Sequence, residues 1–209
     1  MHTEPGLPRG IYGITSREFG TSHEQSALVL LKAGIRIIQY REKDAPTRVM
    51  YNEALRIKQL CAQYRALFMV NDRIDIALAV DADGVHVGQD DLPAGIAKRY
   101  LGSKIIGVSV RTEAEAATAV ADGADYLGAG AVYPTSTKKD STCIGPAMLA
   151  SIARISSVPV YAIGGITLDR LGELKSLGIH GAAVISAILN TPDPEHTGGA
   201  FVRAWASPA

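Results

Sequence analysis

The sequence predicts a single-domain (β/α)8 barrel, an α/β TIM barrel. Three observations lead there. Eight short runs rich in Ile, Val and small residues alternate with helical patterns. The runs lack clean polar alternation, which is how strands buried on both faces read. The 209 residues divide into about 26 per β/α unit, the compact end of what eight-fold closure needs. A doubly wound open sheet is the alternative, but no G-x-G-x-x-G follows the first run. No low-complexity segment or long linker interrupts the order, so residues 1–209 are expected to form one domain.

The predicted strands, in order, are Ile11–Thr15, Ile35–Arg41, Leu67–Asn71, Gly84–Val87, Lys104–Val110, Tyr126–Val132, Pro159–Gly164 and Gly181–Ile185. Helical signals separate them. Pro93 is expected in the first turn of a helix, where its missing N–H costs nothing. Thr112-Glu113-Ala114-Glu115 reads as a capping box. Gly123 and Gly178 fall where helices should end. The last helix, about His196 to Trp205, is expected to be short.

Bulk properties narrow the class. The apolar fraction of 47% and the charged fraction of 20% are ordinary for a globular domain. Net charge is zero, which argues against a broad nucleic-acid or membrane surface and leaves room only for local anion sites. Met1 to Gly10 lacks the apolar centre of a signal peptide, and no run is long enough to span a bilayer. A cytoplasmic protein is expected. Cys61 and Cys143 have no metal spacing and read as unrelated thiols.

The unusual polar residues fall just after strands, which in a βα barrel means one rim, the C-terminal face. In strand two, Gln39, Arg41 and Lys43 alternate onto one face, a set suited to a polyanion. The alternative is a solvated strand end with its charges paired to Glu42 and Asp44, and the residues alone leave both open. Asp72 follows strand three and Asp91 follows strand four. Singly, each suits a helix N-cap. Together, beside a basic strand end, they suit a hard divalent cation such as Mg2+. Ser109 could donate to a ligand or cap a turn.

The loop Pro134-Thr135-Ser136-Thr137-Lys138-Lys139-Asp140 has the hydroxyls, amides and cation of a phosphate cradle, or is an ordinary polar loop. Gly164-Gly165 and Ile185-Ser186 close strands seven and eight, where barrels of this kind often hold phosphate. The histidines show no triad or zinc spacing. His86 reads as a packed or hydrogen-bonded barrel residue, and His23, His180 and His196 as peripheral.

These segments together resemble the thiamin phosphate synthase (thiamin-phosphate pyrophosphorylase) family. Gln39-Tyr40-Arg41-Glu42-Lys43, Asn71-Asp72-Arg73, Val85 to Pro93, Pro134 to Lys139 and Ala162 to Ile166 carry the likeness, which runs from about Ile11 to Leu189. The resemblance implies a transferase that joins a hydroxymethylpyrimidine diphosphate to a thiazole phosphate, releasing diphosphate, and CO2 when the thiazole is carboxylated. It implies that Gln39, Arg41, Lys43, Asn71, Ser109 and Lys138 contact the pyrimidine diphosphate. Asp72 and Asp91 would ligate Mg2+, and Thr135, Thr137, Gly165, Ile185 and Ser186 would hold the thiazole phosphate. The expected partners are these small molecules, with no nucleic acid and no membrane.

Rivals are a related thiazole tautomerase and a non-catalytic barrel that binds thiazole or thiamin phosphate. The tautomerase pattern has a His on strand six, where this chain has Ala131, and lacks the aspartate matching Asp72. A carrier of one phosphate has no need of an acidic pair. A generic phosphate-sugar barrel would lack the diphosphate side of the rim.

Overall fold

The computed structural model describes residues 6–19, 22–135 and 142–207. Eight parallel strands close into a barrel in chain order. They are β1 (Gly10–Ile14), β2 (Ile37–Tyr40), β3 (Leu67–Asn71), β4 (Gly84–Val87), β5 (Ile105–Val110), β6 (Tyr126–Gly130), β7 (Val160–Ile163) and β8 (Gly181–Val184). The helices are α1 (His23–Lys32), α2 (Thr47–Gln63), α3 (Ile74–Ala79), α4 (Ala94–Leu101), α5 (Glu113–Ala121), α6 (Gly145–Ile155), α7 (Leu171–Ser176), α8 (Ser186–Leu189) and α9 (Pro194–Ala206). A 3-10 turn, Leu168–Arg170, leads into α7. The β1–β8 pairing, Gly10 with Gly181 to Gly13 with Val184, closes the ring. No helix among the described residues is long and apolar enough to cross a membrane.

All eight predicted strands form, with ends shifted by a residue or two. β2 stops at Tyr40, so Arg41 begins the following turn. β6 stops at Gly130, and β7 stops before Gly164, whose φ of 93° leaves the extended region. Thr112 caps α5 by accepting the N–H of Glu115 at 3.1 Å, while Glu115 reaches back to the N–H of Arg111 at 2.7 Å rather than to Thr112. Gly123 and Gly178 follow α5 and α7 with φ of 90° and 75°, which only glycine adopts cheaply. Pro93 stands one residue ahead of α4, not in its first turn. The last helix is longer than expected, with 13 residues from Pro194. Asp193 caps it by accepting the N–H of His196 at 3.0 Å, and Phe201 is buried beneath it. Both cysteines are free, Cys61 buried and Cys143 exposed.

Side-chain parity divides the core. Outward residues such as Ile38, Tyr40, Phe68, Val70, Val85 and Leu127 pack under the helices. Inward residues form a smaller cluster of Tyr12, Ile14, Ile37, Met69, Tyr126, Tyr161 and Ala183 inside the barrel. The rings of Tyr12, Tyr126 and Tyr161 meet pairwise, tilted or edge-on, at centroid distances of 5.5 to 5.9 Å. At the N-terminal end, the Tyr161 hydroxyl donates to the Pro8 carbonyl at 2.6 Å, and His180 Nε2 lies 2.8 Å from the Leu7 carbonyl oxygen. The lower barrel is therefore filled by described residues, and a cavity opens at the C-terminal rim.

Room for Tyr126 comes from Gly107 on the neighbouring strand. A Cβ at Gly107 would lie 2.1 Å from the Tyr126 ring. Gly107→Ala is therefore expected to lower unfolding free energy by about 1–3 kcal/mol, as overpacking does. Chemical denaturation would measure this; an unchanged midpoint would refute the tight fit.

Candidate active site

A cavity of about 380 Å3 opens at the C-terminal ends of the strands. That volume suits a small ligand with polar anchors. Eleven of the thirteen sequence-predicted residues line it: Gln39, Arg41, Lys43, Asn71, Asp72, Asp91, Ser109, Thr135, Gly165, Ile185 and Ser186. Thr137 and Lys138 lie outside the described residues.

At the β2 end, Glu42 does not pair with the neighbouring cations as the solvated strand end would have it. Glu42 turns away from the cavity and bonds the Arg17 guanidinium at 2.8 Å. It does not neutralise Arg41 or Lys43. The Arg41 guanidinium forms no ion pair among the described residues, and Lys43 Nζ pairs with Asp72 across the rim. His23, expected at the periphery, is buried behind this turn.

Asp72 and Asp91 meet on the rim, and neither caps a helix. Asp72 has φ 58°, an uncommon conformation for a non-glycine residue, and is fixed by its own N–H donating to the His86 carbonyl at 2.8 Å. The N-cap position of α3 belongs to Arg73. Asp91 Oδ2 accepts the N–H of Gly88 at 2.7 Å, two residues before α4 has its N-cap. The Asp91 carboxyl is raised above the usual aspartate range. Burial is the main cause, opposed by the Gly88 N–H; the neighbouring Asp72 adds to the rise, and Lys43 opposes it. Two carboxylates that disfavour each other's charge have the chemistry of a site for a hard cation. Beside them, Asn71 Nδ2 is buried without a hydrogen-bond partner among the described residues. A buried donor left unsatisfied costs stability, which points to a ligand group there.

Beneath the cavity runs a chain of hydrogen bonds that sequence reading missed. Gln39 Nε2 donates to the Tyr12 hydroxyl at 2.9 Å, and that hydroxyl meets Tyr126 at 2.8 Å. Tyr126 meets His86 Nδ1 at 2.9 Å, and His86 Nε2 meets Ser109 Oγ at 2.9 Å. His86 is thus a hydrogen-bonded barrel residue, as expected, and Ser109 is spoken for by His86 rather than by the turn before α5. Burial pushes the Tyr12 and Tyr126 phenols upward, so both stay protonated. Their signal in the sequence is inward parity, and for Tyr126 also the small Gly128 and Gly130 that share its face of β6.

The other side of the cavity is built from backbone. Gly165 has φ 65°, and a Cβ there would lie 2.6 Å from the Pro134 carbonyl oxygen. The loops after β6 and β7 therefore touch. Tyr133 N–H donates to the Gly164 carbonyl at 3.1 Å, and the Arg170 guanidinium sits 4.2 Å from the centroid of the Tyr133 ring. Ile185 leads into the four-residue helix α8, a short extra helix after strand eight. Ala131 also lines the cavity.

Cations, paired carboxylates and an amide without a partner among the described residues thus line one side of the cavity, facing backbone loops on the other. The comparison with known proteins gives the family. The model of the family described as thiamine monophosphate synthase matches residues 11–188. The chain is 48% identical to a thiamine-phosphate synthase of Caldivirga maquilingensis, over 95% of this chain and 98% of that one. It is 49% identical to another of Archaeoglobus fulgidus, over 92% and 91%. The solved thiamine phosphate pyrophosphorylase of Pyrococcus furiosus superposes with a TM-score of 0.90 at 42% identity, covering 94% of this chain and 95% of that one. The chain belongs to the thiamine monophosphate synthase family, and it is an enzyme of the transferase class.

The carboxylate pair has a measurable consequence. Because Asp91 titrates higher in the folded chain than in the unfolded one, the folded state binds its proton more tightly. Stability without metal then falls as pH rises through the window above the ordinary aspartate value. Asp91→Asn removes that loss. In chelator, it is expected to melt higher than the parent at pH 7 and to show a flatter melting profile as pH rises above the ordinary aspartate value. A lower melting temperature at pH 7 would count against mutual repulsion at this pair.

Proposed function

We propose that this chain forms thiamin phosphate by joining 4-amino-2-methyl-5-(diphosphooxymethyl)pyrimidine to thiazole phosphate. The C–O bond to diphosphate breaks with its electron pair leaving on diphosphate. The resulting methylene cation, stabilised by the pyrimidine ring, is captured by the thiazole nitrogen. A carboxylated thiazole would also release CO2. The single observation that carries this reading is the meeting of Asp72, Asp91, Lys43, Arg41 and the unpartnered Asn71 amide on one side of one cavity.

Each group then has a task. Arg41 is suited to grip two diphosphate oxygens at once, and Lys43 and Lys138 add point charges as negative charge builds on the leaving group. Gln39, Asn71 and Ser109 orient the pyrimidine half. Thr135, Thr137, Gly165, Ile185 and Ser186 offer hydroxyl and backbone donors to the thiazole phosphate. Asp72 and Asp91 would hold Mg2+, which when bound supplies further positive charge to the departing diphosphate. The dissociative step needs little proton transfer, which agrees with a cavity whose His86 is already committed to Tyr126 and Ser109. A cytoplasmic setting goes with two free thiols.

Purified protein given both substrates and Mg2+ is expected to release diphosphate and form thiamin phosphate, and excess chelator should stop it. Absence of diphosphate release in Mg2+ would overturn the proposal. Arg41→Ala is expected to slow turnover by about a hundredfold, equivalent to roughly 3 kcal/mol of leaving-group stabilisation. Asp72→Ala should abolish turnover with the circular dichroism spectrum unchanged; an unfolded variant would mean that Asp72 serves structure.

A further inference from the structure

Behind the cationic turn lies a buried cluster that the reaction itself does not use. Glu42, between Arg41 and Lys43, faces the helices. Its Oε1 accepts the backbone N–H of Lys43 at 2.7 Å and of Asp44 at 2.8 Å. Its Oε2 accepts from Arg17 Nε at 2.8 Å and lies 3.2 Å from His23 Nε2. The other arm of Arg17 donates to Glu53 on α2, and Glu53 Oε2 accepts the Tyr40 hydroxyl at 2.7 Å. His23 Nδ1 lies 2.8 Å from Thr15 Oγ1, which accepts the N–H of Arg41 at 3.3 Å. The backbone N–H groups of Arg41, Lys43 and Asp44 are thus all anchored to side chains of one cluster.

Ligand atoms of His23, Glu42 and Glu53 lie within 4.8 Å of one another, a spacing that a metal could use. The guanidinium of Arg17 already bridges both carboxylates and occupies the space between them. The Glu42 and Glu53 side chains are only about a tenth exposed. Breaking one partner of such a set leaves a buried charge uncompensated.

The turn from Arg41 to Pro46 has no helix or strand of its own. Its two cavity-facing cations repel each other, and a loose turn would carry them apart. Ordering it beforehand removes that cost from ligand binding. We propose that Glu42, bridged by Arg17 to Glu53, is a positioning residue. Through the N–H groups of Lys43 and Asp44 it fixes the turn so that Arg41 and Lys43 enter the cavity as a pre-oriented pair for a diphosphate. This rests on the diphosphate reading of that half of the cavity.

The test is titration calorimetry with inorganic diphosphate plus Mg2+, and separately with thiazole phosphate, on the parent, Glu42→Gln and Arg17→Lys. Arg17 is half-exposed, so its replacement keeps the test available if Glu42→Gln fails to fold. Folded variants are expected to bind diphosphate roughly ten- to a hundredfold more weakly, as small misplacements of binding groups do. Thiazole phosphate should bind them as it binds the parent. Undiminished diphosphate binding in a folded variant, or an equal loss for both ligands, would overturn the positioning role. A parent protein that binds thiazole phosphate but no diphosphate would instead overturn the diphosphate reading itself.

Discussion

Closure of eight parallel strands imposes one rule on every strand residue. Its side chain points either at the barrel axis or at the helices, and successive residues alternate. The rest of the architecture follows from that parity. Ile38 and Tyr40 pack beneath helices, while Ile37 joins the barrel interior and Gln39 faces the cavity. The same division holds on β3, where Phe68 and Val70 face out and Met69 and Asn71 face in. Because all strands run the same way, their last inward positions converge on one rim. Seven strands, β2 to β8, thereby supply unlike groups to one small volume.

What gathers there is poorly suited to an empty site. Two carboxylates sit close enough to raise one of them, an amide donor lacks a partner, and a guanidinium has no counter-ion among the described residues. The buried amide and the crowded carboxylate cost stability in isolation. The surrounding structure compensates through a well-filled barrel interior and the hydrogen-bonded cluster around Arg17. The helices pack a continuous apolar cluster against the outer face of the barrel.

The barrel was legible because its strands are buried on both faces and read as unbroken apolar runs. The rim was legible because polar residues at strand ends have no packing role. Other features depend on distant partners. Asp72 and Asp91 fit the N-cap pattern locally, but a positive φ at Asp72 and the later starts of α3 and α4 send both side chains to the cavity. Tyr12 and Tyr126 read as packing residues, since nothing local shows that their hydroxyls meet from 114 positions apart. Arg17 and Glu53 are 36 apart. One cue was present: Glu53 lies three residues from Met50 on the face of α2 that carries Ala54, Ile57 and Cys61, an acid on an apolar stripe. The long α9 was announced by Asp193-Pro194, an N-cap followed by the residue most at home in the first turn.

The tyrosine layer has a kinetic meaning. Tyr12, Tyr126 and Tyr161 fill the barrel below the cavity, and the carbonyls of Leu7 and Pro8 tie off the N-terminal end. Among the described residues the chamber has a floor and one mouth. Molecules that share such a chamber must pass one another or queue. Whatever lies deeper enters first and departs last, so the order of arrival and release becomes a property of shape.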